Sequence, residues 1–265
     1  VSFNNSTTLL HPGIACVLDL LYKDNKQYFN FHGKIVVLWQ CINYKKIAKG
    51  KKPIFTISNF SKSRICDTYD TNEDQVIIIP CGWQHIKKIK PDDSIFESHP
   101  RLKDGGYYFT LASKAEYKNF RWVVEAARKN PDSIFVIAGG GVNSSKQTQG
   151  LDEVENLGYL SDEEIVSLMS HCKAFIFPSR YEGFGIPPLE ALSLGVKIIV
   201  SECGSLPEIY KKSAHYIDPD NPDIDLDKLL RQPVDDPKEV LDSYSWDKAA
   251  EIMYNVLNKY SNREL

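Results

Sequence analysis

The stretch AFIFPSRYEGFGIPPLEALSLGVKIIVSEC, residues 174–203, decides the fold. AFIF is a short apolar run of the kind a fully buried strand needs, and KIIVS, 197–201, is a second. Between them PPLEALSLG reads as a helix. Pro187 and Pro188 suit a first turn, whose N–H groups lack helical partners anyway, and Gly195 suits the stop. Strand, helix and strand in so few residues call for a right-handed crossover between parallel neighbours. RYEGFG, 180–185, then lies at the carboxyl end of a strand, where open parallel sheets bind ligands. Glu190 is placed in the first helical turn, where a carboxylate gains about 0.3–1 kcal/mol with no ligand at all. That explanation does not reach Glu182, nor Gly183 and Gly185 on either side of Phe184. Glycines there let the backbone approach a ligand closely. Carboxylates accept readily from neighbouring sugar hydroxyls.

Outward from this stretch the alternation continues. GYYFTLAS, SIFVIAG and AHYIDP read as strands, and NFRWVVEAARKN, SDEEIVSLMSHC and LPEIYKK as helices. Ser161 and Glu164 have capping-box spacing. The pattern predicts a doubly wound α/β domain over 105–244, with a parallel sheet covered on both faces. The first hundred residues repeat the theme more weakly: ACVLDLLY, PIFTIS and QVIIIP as strands, VVLWQCINYKKIA and the segment after Ser58 as helices. Residues 1–104 are therefore expected to form a second Rossmann-like domain, incomplete, with a linker from about 88 where KIKPDDSIFESHPRLKDGG is polar and carries prolines. YSWDKAAEIMYNVLNKY predicts a helix capped by Ser245, within a 245–265 segment that packs back toward the N-terminal domain.

Composition excludes several classes. With 42% hydrophobic and 25% charged residues the chain is ordinary globular material, and no apolar run approaches a membrane span. Cysteines 16, 41, 66, 81, 172 and 203 form no C-x-x-C pair, and the six histidines are scattered, so free thiols are expected and no metal site. The glycines of FVIAGGGVN fail the dinucleotide fingerprint, since G-x-G-x-x-G from Gly139 would need glycine at Ser144. A tight turn over Gly139 to Gly141 is the better reading. The charge is asymmetric: residues 1–104 carry 15 Lys/Arg against 10 Asp/Glu, whereas 105–265 carry 17 against 25. The basic excess is densest in YKKIAKGKK, 44–52. A solvated surface is the plainer explanation. Attraction to an anionic membrane face or an acidic acceptor is the sharper one. Nucleic acid is not indicated.

LASKAEYKNF places Lys118 and Asn119 just before a helix, where a lysine has the wrong sign for the helix dipole. Ser113, Lys114 and Lys118 could meet a phosphate there with helix N–H groups, or Lys118 could be a solvated loop lysine.

Residues 175–209 resemble the signature of family 4 of the retaining, nucleotide-sugar-dependent glycosyltransferases (glycosyl transferases group 1), whose fold is GT-B, and Glu182 and Glu190 match its E-x7-E motif. LASKAEYKN is similar to that family's phosphate-binding loop, with Ser113 where many members have arginine. NLGYLSDEEI resembles the segment that contacts the nucleotide base, which makes Gly158, Tyr159 and Leu160 candidate donor contacts. TISNFSKSRI and VIIIPCGW, with Gly82, resemble the end of the N-terminal domain, and AHYIDPDN and YSWDKAA the closing segments. The resemblance implies two Rossmann-like domains, the first reduced or truncated. It implies that Glu182 holds donor-sugar hydroxyls and that the backbone of Gly183, Phe184, Gly185 and Ile186 lies against sugar and diphosphate. It gives Glu190 the ribose hydroxyls and Lys118, with Ser113, Lys114 and Asn119 nearby, the leaving diphosphate. It further implies metal-independent transfer of a hexose with retention, by front-face displacement, with no cofactor beyond the nucleotide sugar. The donor is GDP-mannose or a UDP- or dTDP-hexose, and the acceptor a glycan or lipid-linked glycan in cell-surface polysaccharide synthesis. A cytoplasmic location follows, with peripheral contact at the inner membrane face through the basic half. Two departures stand out. Leu18 precedes Asp19 where many members have a histidine, leaving Asp19 as the candidate N-domain contact with Gly82; and the chain enters the N-terminal domain partway. A non-catalytic donor-binding module that needs a further segment or partner chain is the alternative. A Rossmann oxidoreductase is disfavoured by the broken glycine fingerprint.

Overall fold

The computed structural model describes residues 2–3, 13–28, 31–140, 148 and 150–261. Gly141 and Ser144 lie outside them. The chain divides into two compact units: Val1–Gly82 with Tyr181–Phe184 and Tyr244–Leu265, and Trp83–Arg180 with Gly185–Ser243.

In the first unit, β1 (Ser2–Phe3), β2 (Ala15–Cys16), β3 (Ile54–Thr56) and β4 (Val76–Ile78) form a parallel sheet in that order. β2 is shorter than ACVLDLLY suggests. Asp19 Oδ1 accepts from Leu21 N at 2.9 Å, which turns the chain into α1 (Leu21–Asp24). α2 (Phe31–Lys49) and α3 (Asn59–Tyr69) make the crossovers. Ser58 caps α3, accepting from Ser61 N at 3.0 Å. Alternate strand residues serve opposite faces, as a period of two requires. Ala15, Val17, Ile54 and Val76 meet Tyr44, Ile47 and Ile65 of α2 and α3. Cys16, Phe55 and Ile79 meet Ala249, Ile252, Met253 and Val256 of the last helix, Trp246–Ser261. That helix buries a stripe at helical spacing and is capped by Ser245 Oγ, 3.1 Å from Lys248 N.

The second unit contains α4 (Ile95–Ser98), β5 (Tyr107–Leu111), α5 (Phe120–Lys129), β6 (Ile134–Ala138), β7 (Val154–Gly158), α6 (Asp162–His171), β8 (Ala174–Phe177), α7 (Ile186–Ser193), β9 (Ile198–Ser201), α8 (Leu206–Tyr210), β10 (His215–Ile217), α9 (Leu226–Leu230) and α10 (Lys238–Ser243). The Trp246–Ser261 helix is then α11. The six strands form a parallel sheet in the order β10-β9-β8-β5-β6-β7. Tyr108, Phe135 and Ile176 pack with Trp122, Val123 and Leu226 on one face. On the other face Tyr107 donates to Leu168 O of α6 at 2.7 Å. Each large apolar side chain so buried contributes about 1.5–3 kcal/mol. α6 opens with the expected capping box: Glu164 N donates to Ser161 Oγ at 3.2 Å and Ser161 N to Glu164 Oε2 at 2.8 Å.

Residues 88–104, read from the sequence as a linker, are packed structure of this second unit. Asp92 N donates to Glu163 O at 3.2 Å, Ser167 donates to Asp93, and the Phe96 ring lies edge-on to His171 at 4.9 Å. Their apolar anchors, Ile95, Phe96 and Leu102, are buried within an otherwise polar stretch. All six cysteines are free, and burial pushes the Cys16 thiol up to about 11 and Cys81 to about 12.

Candidate active site

Strand order reverses between β5 and β8, which are neighbours although two strands separate them in sequence. Their chains leave the sheet in opposite directions, so a crevice opens at their carboxyl ends. The loop after β5 carries Ser113, Lys114, Lys118 and Asn119; the loop after β8 begins at Pro178.

Asn119 ties these loops together. It is buried, with φ 57° and ψ 41°, a left-handed conformation that asparagine tolerates better than most residues. Its Nδ2 donates to Pro178 O at 3.0 Å and to Pro219 O at 2.8 Å. Arg180 N donates to Tyr117 O at 2.7 Å, a second tie. Lys118, half-buried, is thereby held with Nζ 5.0 Å from the Phe177 ring centre and 5.3 Å from that of Tyr117. Its ammonium thus sits over the last residue of β8, at the switch point. Ser113 Oγ accepts from Ala115 N at 3.2 Å, while Lys114 is exposed.

The wall beyond β6 depends on Gly139. With φ 121°, its N donates to Gly158 O at 2.6 Å, and a Cβ there would stand 2.2 Å from Ala112 O. The close turn expected at Gly139 is therefore a packing requirement. Gly158 also has positive φ, 69°, and is followed by Tyr159, 88% exposed, and half-buried Leu160.

Gly185, φ 86°, precedes α7, and its carbonyl accepts from Tyr210 Oη. Pro187 and Pro188 occupy the first turn, as expected. Glu190 does not. α7 starts at Ile186, because Gly185 makes the left-handed turn into it, so Glu190 falls in the second turn, beyond the free N–H groups. Its Oε1 instead meets His85 Nε2 at 2.6 Å, with the Glu190 side chain only 16% exposed. His85 sits on a 3₁₀ turn, Gln84–Lys88, and nothing local in GWQHIKK marks it. The contact spans 105 positions.

The rest of the E-x7-E segment, Tyr181–Phe184, packs in the first unit. Tyr181 is buried edge-on to Phe60, 5.5 Å between centres, and its Oη donates to Asp24 Oδ2 at 3.2 Å. Arg64 grips the same carboxylate at 2.9 and 2.7 Å. Burial, then the charges of Asp19 and Asp24, push the Tyr181 phenol far above its usual range. Phe184 is buried edge-on to Tyr244 at 5.2 Å. A Cβ on Gly183 would lie 3.0 Å from Asp19 Cβ and 3.2 Å from Ile57 Cδ1. The structure therefore brings Gly183 and Asp19 together, and half-buried Glu182 precedes Gly183 in the chain. Gly82 is buried. Among the described residues no group of three or more His, Cys, Asp or Glu side chains could hold a metal ion.

The α/β fold, a doubly wound unit with a lysine at its switch point and a second, smaller parallel-sheet unit, is that of the GT-B glycosyltransferases. The chain belongs to the family described as glycosyl transferases group 1, whose model matches residues 91–253. It is 28% identical over 199 residues to O-antigen chain mannosyltransferase B of Escherichia coli, covering 70% of this chain and 52% of that protein. It is 48% identical over 181 residues to the serotype-specific mannosyltransferase WbdA of Escherichia coli, covering 59% of this chain and 21% of that protein. HepE of Anabaena, solved in complex with UDP-glucose, superposes with a TM-score of 0.68 over 95% of this chain and 72% of that one, at 16% identity. The chain thus spans about half the length of O-antigen chain mannosyltransferase B and a fifth of WbdA.

Proposed function

We propose that the chain transfers mannose, with retention, from a nucleotide-diphosphate mannose to a growing cell-surface glycan or its lipid-linked precursor. The observation that carries this is Lys118, fixed over Phe177 at the switch point by the Asn119 clamp. There a positive charge meets the diphosphate as it leaves, the placement that stabilises a transition state most. The mannosyltransferase relatives support the sugar, and the UDP-glucose complex of HepE supports a nucleotide-sugar donor.

In this reading Glu182 holds hydroxyls of the sugar, and the Gly183–Ile186 backbone lies along sugar and diphosphate. Glu190, oriented by His85, takes the ribose hydroxyls. Tyr159 offers an exposed ring for the base. The bond from C1 to the diphosphate oxygen breaks while the acceptor oxygen bonds C1 on the same face. The acceptor proton passes to a donor phosphate oxygen. Lys118 neutralises the departing charge, and no metal takes part.

Glu182→Ala is expected to abolish transfer, with an unchanged circular dichroism spectrum and melting temperature. Unchanged turnover would sink the assignment. A second reading, a donor-binding module that acts with a partner chain, is favoured by Lys118 and Glu190 both lying in the second unit. Calorimetry beside a transfer assay separates the two: saturable donor binding without transfer or donor hydrolysis identifies the module.

A further inference from the structure

The two chain neighbours of Glu182 are held by one turn of the first unit. On one side, Gly183 lies so close to Asp19 that a Cβ there would stand 3.1 Å from Asp19 Oδ2. On the other side, Tyr181 is buried and donates to Asp24 Oδ2 at 3.2 Å. Asp19 and Asp24 mark the two ends of the same turn. Asp19 Oδ1 accepts from the N–H of Leu21, the first residue of α1, and Asp24 is the last residue of that helix. Leu20 and Leu21, between them, are buried in the core.

α3 backs this turn. Phe60 and Arg64 stand four positions apart on it and so share one face of the helix. Phe60 meets the Tyr181 ring edge-on, and Arg64 closes a two-point fork on Asp24 with Nε at 2.9 Å and Nη2 at 2.7 Å. A planar guanidinium paired in this way fixes a carboxylate in direction as well as in distance. The Asp24 side chain is only 13% exposed, so the pair is largely shielded from solvent. Burial, then the charges of Asp19 and Asp24, keep the Tyr181 phenol protonated at neutral pH, so it remains a donor. Packing alone would need only the Tyr181 ring against Phe60. A phenol aimed at a carboxylate that a guanidinium already holds fixes the course of the chain one residue before Glu182.

We infer that Arg64 and Asp24 are positioning residues that act through Tyr181 to aim the Glu182 carboxylate. The inference rests on the reading that Glu182 holds hydroxyls of the donor sugar. Arg64, Asp24, Tyr181 and Glu182 all belong to the first unit. Loss of the brace lets the carboxylate wander, and a displacement of about 1 Å at such a group costs up to roughly 100-fold in rate.

Two measurements on the whole chain test this, with Tyr181→Phe, which keeps the ring on Phe60, and Arg64→Gln, whose parent side chain is 39% exposed. Hydrogen exchange read by mass spectrometry needs no ligand. Each variant should speed exchange roughly 10-fold in peptides covering 19–24 and 180–185, as loss of a hydrogen bond to a charged group requires, with the rest of the first unit at the parent rate. Calorimetry with GDP and GDP-mannose reads the sugar. Both variants should weaken GDP-mannose binding roughly 10-fold and leave GDP binding unaltered. In a Glu182→Ala background neither should weaken GDP-mannose binding further, whereas a purely stabilising contact would still act there. Parent-like exchange at 180–185, or a further loss on top of Glu182→Ala, overturns the inference. Glu182→Ala with the parent's affinity for GDP-mannose overturns instead the sugar assignment, and the positioning role with it, while accelerated exchange would still establish the brace itself.

Discussion

Asn119→Ala removes both hydrogen bonds that join the loop after β5 to Pro178 and Pro219. Each contributes about 0.5–1.5 kcal/mol net, and carbonyls stranded away from water push the loss toward the upper end, so the pair is worth about 2–3 kcal/mol. Alanine must also adopt the left-handed φ of 57°, which costs a further ~1 kcal/mol. The expected destabilisation is therefore about 3–4 kcal/mol. Asn119→Gly loses the same bonds but enters the left-handed region freely, so it should be less destabilised, by about 1 kcal/mol. Urea unfolding followed by tryptophan fluorescence measures this. Trp122, buried three residues further on with Nε1 3.0 Å from Asp218 O, reports the second unit directly. Both variants should also bind nucleotide more weakly, because Lys118 is the preceding residue. Equal losses for Ala and Gly would refute the strain argument. Losses below ~0.5 kcal/mol for both would refute the clamp.

Gly139→Ala should leave little folded protein, since its Cβ would stand 2.2 Å from a backbone oxygen at φ 121°; a soluble variant with the parent melting temperature would contradict the close approach of β5 and β6. A pH effect is expected at Asp227. Hydrogen bonds from Lys173, 2.5 Å away, and then from Tyr108 hold its carboxyl below the usual 3.8. The folded pKa lies below the unfolded one, so this stabilisation is present above about pH 4 and fades as pH falls through the folded value. Asp227→Asn should therefore lose about 1 kcal/mol or less at neutral pH, the pair being part-exposed, and show a shallower acid decline in urea titrations below pH 4. An unchanged acid profile would refute the pairing.

Much of the second unit was legible because its strands are short, apolar and buried on both faces, and its helices carry recognisable signals: Ser161 with Glu164, Pro187 and Pro188, Gly195. β7 carries no strand signal in the sequence because VENLG is a polar edge strand, half-exposed and joined to β6 with a register shift. The 88–104 segment reads as a linker because its three buried apolar anchors, Ile95, Phe96 and Leu102, hardly register among its charges and prolines. The sequence places Glu190 one turn too early, since two prolines fix a helix start only to within a residue or two, and here Gly185 sets it. The His85–Glu190 contact joins residues whose local sequences hold no information about each other.

Calorimetric titration of GDP and GDP-mannose into the chain and into Lys118→Ala tests the central claim most directly. One saturable site is expected in the parent, with affinity reduced roughly 10- to 100-fold in the variant, the worth of a charged hydrogen bond. Absence of binding by any nucleotide sugar in the parent, or equal affinity in Lys118→Ala, would contradict it.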